Sequence, residues 1–443
     1  MTNKSNNDLL RNGFDFQTIK TFINKVYKMN RFKNPSIIFA AVCCLLTPAF
    51  VNAQEFDLLL KGGQVIDSKN NLNAKLDVAI TQGKISKVAA GIPANSAKKV
   101  VDVSGMLVSP GLIDIHTHVF TGPTAGFANG SSSVKPDDFT FRAGITTVVD
   151  AGTSGYKSFP AFKEQVIDRS RTRVLSFLNV FAPGMIGGKA EQDTMDMDLQ
   201  KADELIKKYP DIIAGVKIGH YSGKSWSPFD AASKLASSNN RPLFVECHIT
   251  EFSLEDQLNH MKPGDIITHA YENVSERMPV VDERGNVRPF VMAAQKRGIL
   301  FDVGHGGVGF WFNQAVPAVK QGLLPNTFGT DMHHNSVNAG MKDMLNLMSK
   351  YLNIGMSKEE ILKRATSGAA EAIRRPDLGN LSVGSVADIA VLRVNTGKFG
   401  FMDAAGYKLE GDKKFEAEMT VRNGRIVWDL NGTSAVGWSM DKK

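Results

Sequence analysis

Short apolar runs and helix-like patterns alternate through the middle of the chain. Eight runs rich in apolar and β-branched residues lie between positions 112 and 333: LIDIHTH, ITTVVDAG, RVLSFLNV, IIAGVKIG, PLFVECH, DIITHAY, ILFDVGH and TFGTDMH. Segments with a helical period separate several of them, including SFPAFKEQVIDRS, MDLQKADELIKKYP, DAASKLASSNN and FVMAAQKRG. Strands that alternate with helices in this way predict an α/β fold, a (β/α)8 TIM barrel over residues 111–375.

The two flanks of this region share a different pattern. Apolar segments of strand length, separated by Gly and Asn turns, fill residues 54–110 and return in residues 376–443. Neither flank contains enough apolar surface to form a core by itself. We therefore predict one small β-domain, a β-sandwich built from both ends of the chain.

Helical periodicity resumes after the eighth apolar run. Met341, Met344 and Met348 recur at helical spacing, which indicates core packing rather than metal ligation. Ser357 and Glu360 in SKEE are spaced as a capping box and predict the start of a last helix.

The first 53 residues are typical of a secretory signal. Basic residues precede the apolar stretch 37–46, and Val51-Asn52-Ala53 offers a small-x-Ala cleavage site. We expect an exported protein, periplasmic or secreted, that begins at Gln54 and has no stable membrane insertion. The apolar stretch is shorter than the roughly 20 residues of a membrane span, and an uncleaved anchor is the alternative. Met29 is an alternative start.

The distribution of charge argues against a nucleic-acid partner. The chain of 443 residues has a formal net charge of +7, but the signal segment, with seven basic and two acidic residues, carries most of it. The remainder has no dense basic stripe with interleaved aromatic residues. We expect a small acylated molecule as the substrate, and the sequence leaves a homo-oligomer open.

Two histidines end the first apolar run of the predicted barrel. Side chains of a strand alternate between faces, so His116 and His118 in GLIDIHTH point to the same side. The carboxyl ends of the strands form the active site of TIM barrels. Two imidazoles at such an end supply half of a metal site.

Other chemically active side chains end the remaining runs. They are Lys217 on the fourth, Glu246 and His248 on the fifth, His269 on the sixth, His305 on the seventh and Asp331 on the eighth. Their joint placement on one rim favours a metal centre over separate structural roles.

This ordered set resembles the amidohydrolase superfamily, and within it the binuclear deacetylase group that is related to dihydroorotases. The resemblance rests on GLIDIHTHVF, GITTVVDAGTSG, GVKIG, DIITHAYE, FDVGHGG and GTDMH, and it covers nearly everything after residue 54. It implies two divalent metal ions, zinc, held by the rim residues His116, His118, Lys217, His269 and Asp331 and by one strand-5 ligand. It also implies that Asp331 accepts a proton from the bridging water and returns it to the leaving group. The alternative is that Asp331 caps the next helix.

Lys217 lies in the otherwise apolar strand IIAGVKIG. Burial of an unpaired ammonium is costly, which favours the neutral, nucleophilic amine. Such an amine can add CO₂, and the resemblance implies that the resulting carbamate bridges the two metals. The alternative is a lysine that reaches the rim or pairs with a carboxylate.

The strand-5 ligand is ambiguous. The family's histidine commonly lies four residues after the strand's proline, and counting from Pro242 gives Glu246. His248 is two positions further and faces the same way. We favour His248 for its chemistry and keep Glu246 as the alternative.

Two loops supply candidate substrate contacts. In GHGGVG, the backbone of Gly306 and Gly307 and the catalytic candidate His305 are able to approach a substrate carboxylate or oxyanion. This segment lacks the following βαβ unit and acidic residue of a dinucleotide fingerprint. After strand 4, His220 and Tyr221 are specificity candidates or solvated loop residues.

The sequence thus predicts a metal-dependent hydrolase that removes an acyl group, such as acetyl, from a small amide or ester. N-acyl amino acids and O-acyl hydroxy acids are examples of such substrates. The alternative among enzymes is cyclic-amide hydrolysis, as in dihydroorotases and hydantoinases. A binding protein on the same scaffold is the alternative outside enzymes, although relatives that lose catalysis usually lose metal ligands.

Overall fold

Two β-sheets organise the part of the chain that the structure describes. This computed structural model describes residues 54–122, 133–185, 188–246 and 252–439. The predicted signal segment and His248 lie outside the described residues. Within these ranges, none of the helices is both long and apolar enough to cross a membrane.

The first sheet combines strands from both flanks of the sequence. Its strands run in the order β15-β14-β13-β5-β1-β2-β3, and β4 pairs with β1. They are β1 (Phe56–Asp67), β2 (Leu72–Thr81), β3 (Lys84–Ala89), β4 (Ala97–Asp102), β5 (Leu107–Pro110), β13 (Ile389–Met402), β14 (Lys408–Arg422) and β15 (Arg425–Asp429). The antiparallel pairing of β5 with β13 joins the two flanks, as the shared apolar pattern predicts.

The second sheet contains seven parallel strands in sequence order, from β6 to β12. They are β6 (Leu112–Thr117), β7 (Ile145–Gly155), β8 (Arg173–Asn179), β9 (Ile213–Gly219), β10 (Leu243–Glu246), β11 (Ile266–Ile267) and β12 (Leu300–Phe301). Each corresponds to one of the first seven apolar runs. A sheet of parallel strands that are connected by helices is covered on both faces. Six of the seven strands are accordingly almost wholly buried.

The eighth apolar run forms isolated bridges instead of a longer ladder. Thr327 makes a parallel bridge with Asp302, just after β12, and Met332 makes one with Thr117 at the end of β6. The same segment is therefore bonded to both edges of the seven-stranded sheet.

In the described part of the chain, five helices lie between strands of the parallel sheet, and five more follow β12. They are α1 (Phe159–Phe162), α2 (Leu199–Lys208), α3 (Ser227–Ser238), α4 (Leu254–His260), α5 (Pro289–Arg297), α6 (Phe312–Lys320), α7 (His334–Val337), α8 (Met344–Asn353), α9 (Lys358–Ala365) and α10 (Ser367–Ala372). The four helical patterns in the sequence are confirmed as α1, α2, α3 and α5, and α1 continues into a π-helical turn.

Local signals explain where several helices begin. The side chain of Asp198 accepts a hydrogen bond from the N–H of Lys201 at the start of α2. Ser357 accepts one from the N–H of Glu360 at the predicted start of α9, but α10 follows, so α9 is not the last helix. Met341, Met344 and Met348 are fully buried in the main apolar core, which confirms their packing role.

Strands β13 and β14 form a hairpin that extends beyond the apolar segments of the sequence, and its tip contacts the loop after β12. The N–H of Ala404 donates to the carbonyl of Phe310 at 2.9 Å. Asp403 accepts from the N–H of Phe312 at 3.0 Å. The hairpin thereby fixes one side of the glycine-rich segment that contains His305.

Candidate active site

The histidines at the end of β6 face Asp331 from the eighth run. His118 Nε2 lies 3.1 Å from Asp331 Oδ1, and His116 Nε2 lies 3.5 Å from the same oxygen. Complete burial lowers the pKa of His116 to about 4, so its imidazole is neutral near pH 7. The structure thus unites three of the predicted metal ligands.

Asp331 has a positive φ of 50° and a buried carboxylate. Burial alone would raise its pKa, but the facing imidazoles of His116, His118 and His333 hold the pKa well below its usual value. An ionised carboxylate between two imidazole nitrogens is suited to ligate a cation and to accept a proton.

Glu246, at the end of β10, is in contact with three side chains that can carry a positive charge. It is paired with Lys217, and its Oε1 lies 3.0 Å from His269 Nε2 and 3.2 Å from His220 Nε2. Burial would raise the pKa of Glu246, but Lys217 and the two histidines hold it well below its ordinary value. The carboxylate of Glu246 therefore lies on the side of the site that is formed by β10, the fifth strand of the parallel sheet.

Lys217 is fully buried on β9, as its apolar surroundings predict. Its Nζ lies 4.7 Å from the centre of the Phe244 ring and pairs with Glu246. The alternative of a lysine paired with a carboxylate thus describes the arrangement in this structure, and the side chain does not reach the surface.

His269 completes this side of the site. Its Nδ1 donates to the carbonyl oxygen of Gly304 at 2.6 Å, and its backbone has a positive φ of 52°. Although burial opposes the charge, Glu246 raises the pKa of His269 to about 9. His116, His269 and Asp331 offer ligand atoms within 4.8 Å of one another, which is a spacing compatible with a metal ion.

His220 belongs to the site, whereas Tyr221 belongs to the core. His220 Nδ1 lies 3.4 Å from Glu191, opposite the contact of its Nε2 with Glu246. Despite the opposing effect of burial, the charge of Glu246 raises the pKa of His220 to about 10. Tyr221 is buried, and its ring stacks on Phe181 with centroids 6.2 Å apart.

The glycine-rich segment supports Asp331 with its backbone. The N–H of Gly306 donates to the carbonyl of Thr330 at 2.9 Å. A Cβ at Gly306 would lie 2.0 Å from Asp331 Oδ2, which explains why only glycine fits. Gly307 is exposed at the turn, and no atom of a described residue other than its chain neighbours lies within 4 Å of its Cβ position.

Both ring nitrogens of His305 are bonded within the protein. Its ring is fully buried and stacks on Phe310 with centroids 4.9 Å apart. Nδ1 donates to the carbonyl of Gly306 at 3.1 Å, and Nε2 accepts from Lys350 Nζ at 2.7 Å. With both ring nitrogens bonded to protein, this side chain supports the loop in this structure, and its contact with substrate stays a prediction.

Comparisons with known proteins agree with this geometry. Residues 312–427 match the amidohydrolase family. A deacetylase from Agrobacterium fabrum is 31% identical over 316 residues, which cover 70% of this chain and 76% of that protein. A deacetylase from Brucella anthropi is 29% identical over 357 residues, covering 79% and 87%.

The chain belongs to the amidohydrolase family.

Solved structures of the family have the same fold. An adenine deaminase superposes with a TM-score of 0.77 and 26% identity, covering 84% of this chain and all of that one. A dihydroorotase superposes with a TM-score of 0.74 and 27% identity, covering 84% and 99%. This amidohydrolase is accordingly a mixed α/β enzyme whose structural neighbours are TIM-barrel hydrolases.

Several residues of the site are not indicated by the pattern of the strands. His333 Nδ1 lies 3.4 Å from Asp331 Oδ1, and only its position in TDMHH would have indicated this. Thr268 and Asp302 contact His116 from behind. Lys350 pairs with His305 although 45 residues separate them, and no local pattern indicates that contact.

The residues present fit the divalent metal that is typical of amidohydrolases. His116 Nε2 is buried and, among the described residues, has no hydrogen-bond partner. A buried acceptor without a partner is costly unless a ligand satisfies it. Imidazole nitrogens and a carboxylate are ordinary ligands of zinc.

Proposed function

We propose that this amidohydrolase is a metal-dependent deacetylase that hydrolyses the acyl bond of a small amide or ester. The observation that carries the proposal is the convergence of His116 Nε2, His118 Nε2 and the Asp331 carboxylate at one rim of the parallel sheet. The matching relatives named deacetylases support the acyl substrate, for example an N-acetyl amino acid or an O-acetyl hydroxy acid.

A divalent cation, when bound, supplies a Lewis acid for the carbonyl and lowers the pKa of water. His116, His118 and Asp331 would hold one cation through two nitrogens and one oxygen. Glu246 and His269 would hold a second cation on the other side of the site. We infer that zinc is the metal, because imidazole and carboxylate ligands suit it.

We infer further that Lys217 takes up CO₂ and serves as a bridging ligand. The ammonium first loses one proton. The neutral amine then attacks the carbon of CO₂, a nitrogen–carbon bond forms as one carbon–oxygen π bond opens, and the nitrogen loses a second proton, so that an ammonium site becomes an anionic carbamate. The full burial of Lys217 beside Glu246 supports this role, because an anion there would face both sets of metal ligands.

Asp331 performs the proton transfers in this proposal. Its low pKa keeps the carboxylate ready to accept a proton from the attacking water. As the tetrahedral intermediate collapses, the protonated Asp331 returns that proton to the leaving nitrogen or oxygen. Gly306 keeps the carboxylate in place, because its backbone packs directly against Asp331.

We also infer a closed architecture from the bridges at the sheet edges. The two parallel bridges of the eighth run support an eight-stranded (β/α)8 barrel. For the first sheet, the N–H of Ile85 donates to the carbonyl of Ser385 at 2.9 Å, and the N–H of Gly384 donates to the carbonyl of Ile85 at 2.8 Å. These contacts between β3 and the segment before β13 support a sheet folded over itself as a sandwich.

A proposal about location follows from the first 53 residues. We propose that the enzyme is exported and cleaved after Ala53, and that it acts on small molecules without a nucleic-acid partner. N-terminal sequencing of protein from the periplasm or medium should find Gln54. A mature protein that retains Arg31 would contradict export with cleavage at this site.

A turnover screen tests the proposed reaction. The zinc-loaded protein should hydrolyse N-acetyl amino acids or O-acetyl 2-hydroxy acids, and Asp331→Asn, which preserves side-chain size, should be the inactive control. Turnover restricted to cyclic imides would favour the second candidate, cyclic-amide hydrolysis, which the similarity to a dihydroorotase structure supports. Failure to bind zinc or to turn over any class would favour a binding protein.

A further inference from the structure

The two imidazoles at the end of β6 are held from behind by threonine hydroxyls. His116 Nδ1 lies 2.9 Å from Thr268 Oγ1, and His118 Nδ1 lies 3.0 Å from Thr153 Oγ1. Both threonines are fully buried. Each histidine therefore has Nδ1 engaged by protein and Nε2 turned toward Asp331.

A buried carboxylate fixes the direction of the hydrogen bond at His116. Thr268 Oγ1 donates to Asp302 Oδ2 at 2.9 Å. The other oxygen of Asp302 accepts from the hydroxyl of Thr327 at 2.6 Å and from the N–H of Gly329 at 2.7 Å. A hydroxyl has a single proton, and because Thr268 gives it to Asp302, its oxygen accepts the proton that His116 Nδ1 donates.

We propose that Thr268, oriented by Asp302, is a positioning residue that keeps the proton of His116 on Nδ1 and thereby presents the Nε2 lone pair to a metal ion. The inference rests on the metal site of the proposed function. His116 Nε2 is a buried nitrogen that lacks a hydrogen-bond partner among the described residues, as expected for this tautomer.

The other histidines of the site show that anchoring at Nδ1 is a shared feature with different partners. His269 donates from Nδ1 to a backbone carbonyl, which only accepts. At His118, Asp150 binds the N–H groups of Thr153 and Val119 at 2.8 and 2.9 Å and so holds the backbone of the threonine. At His116 two side chains face Nδ1, Thr268 Oγ1 at 2.9 Å and Asp302 Oδ2 at 3.4 Å, so substitution can alter this anchor at either of them.

Substitution of Thr268 separates positioning from packing. Thr268→Val removes the hydroxyl at nearly constant volume, and Thr268→Ser retains the hydroxyl. Thr327→Val is the matched control, because it removes a hydrogen bond to the same Asp302 without touching a histidine. The two readouts are the imidazole ¹⁵N spectrum of the metal-free full chain, which reports the tautomer, and zinc affinity by chelator competition.

Thr268→Val should weaken zinc binding about 10- to 100-fold and give a mixture of His116 tautomers. Thr268→Ser and Thr327→Val should keep the wild-type tautomer and zinc affinity. Asp302→Asn should have the largest effect, since the new amide donates to Thr268, reverses the relay and moves the His116 proton to Nε2.

Wild-type tautomer and zinc affinity in both Thr268→Val and Asp302→Asn would overturn the proposal. An equal loss in Thr327→Val would also overturn it, because support of Asp302 would then be the whole effect. If Thr268→Val does not fold, Asp302→Asn and Thr268→Ser decide the question. The tautomer is measured without metal or substrate, so a protein that shows this relay but hydrolyses no acyl substrate refutes only the proposed function.

Discussion

Lys350 provides a test of how burial of charge affects this enzyme. It lies on α8 with no exposed surface, and its Nζ is 2.7 Å from both His305 Nε2 and the carbonyl oxygen of Gly340. Burial lowers its pKa to about 7, although Asp403 and Asp343 act in the opposite direction. The folded chain therefore holds a lysine that loses its proton near neutral pH.

The sign of the pH dependence follows from proton counting. Between pH 7 and the ordinary pKa of 10.5, the unfolded chain keeps the proton on Lys350 and the folded chain releases it. The free energy of unfolding therefore rises with pH over this interval. The full difference is on the order of 5 kcal/mol, and about 3 kcal/mol of it falls between pH 7 and pH 9.5.

Lys350→Met should remove this part of the pH dependence. Urea unfolding of wild type and variant at several pH values from 7 to 9.5 gives both free energies by linear extrapolation. The wild type should gain stability relative to Lys350→Met as pH rises, and the control Lys363→Met, at an exposed lysine of α9, should follow the wild type. Parallel curves for wild type and Lys350→Met would refute the argument that burial disfavours the charge.

Further predictions concern the metal site. Asp331→Asn should lower kcat by at least about 100-fold in steady-state assays, since the proton acceptor is lost. Gly306→Ala should lower kcat in the same assays, because its Cβ would lie 2.0 Å from Asp331 Oδ2, and normal turnover would contradict that packing. Lys217→Arg should lose one metal and most activity, whereas a short carboxylic acid should partly restore Lys217→Ala; both metals retained in Lys217→Arg would refute the carbamate. Elemental analysis of Glu246→Ala and His248→Ala should identify the metal ligand at the end of β10. The contacts of Glu246 lead us to expect that Glu246→Ala loses metal.

The spacing of apolar residues along the chain predicted most of the strands and several helices, because strands and helices both leave a local pattern in the sequence. Seven of the eight apolar runs are strands of one parallel sheet, in sequence order. The eighth makes only isolated bridges. Within it, Asp331 has a positive φ of 50°, which interrupts a regular ladder.

The site was predictable where a single strand supplies the geometry. His116 and His118 share a face because strand side chains alternate, and Asp331 follows from the order of the strands. Contacts between distant segments were not predictable from local pattern. Thr268 is 152 residues from His116, and a threonine before a histidine has no distinctive spacing.

The orientation of His305 shows a second limit of local pattern. A histidine at a strand end beside glycines is well placed to meet substrate, but the partner that decides its direction is Lys350 on α8. Helix α8 was predicted as a helix from its methionines, yet periodicity identifies only that residues face the core. Periodicity does not show which buried lysine lies within hydrogen-bond distance of an acceptor.

The charges of the site connect the state of Lys217 to the number of metals. With Lys217 as an ammonium, paired with Glu246 as in this structure, these two groups, Asp331 and one divalent cation together carry one net positive charge, before any proton on His220 or His269 is counted. With a carbamate in place of the ammonium, the three anionic groups need two divalent cations to reach the same net charge. Two cations beside an ammonium would leave three net positive charges in a buried site, which is costly at low dielectric. Uptake of CO₂ and binding of the second metal should therefore occur together.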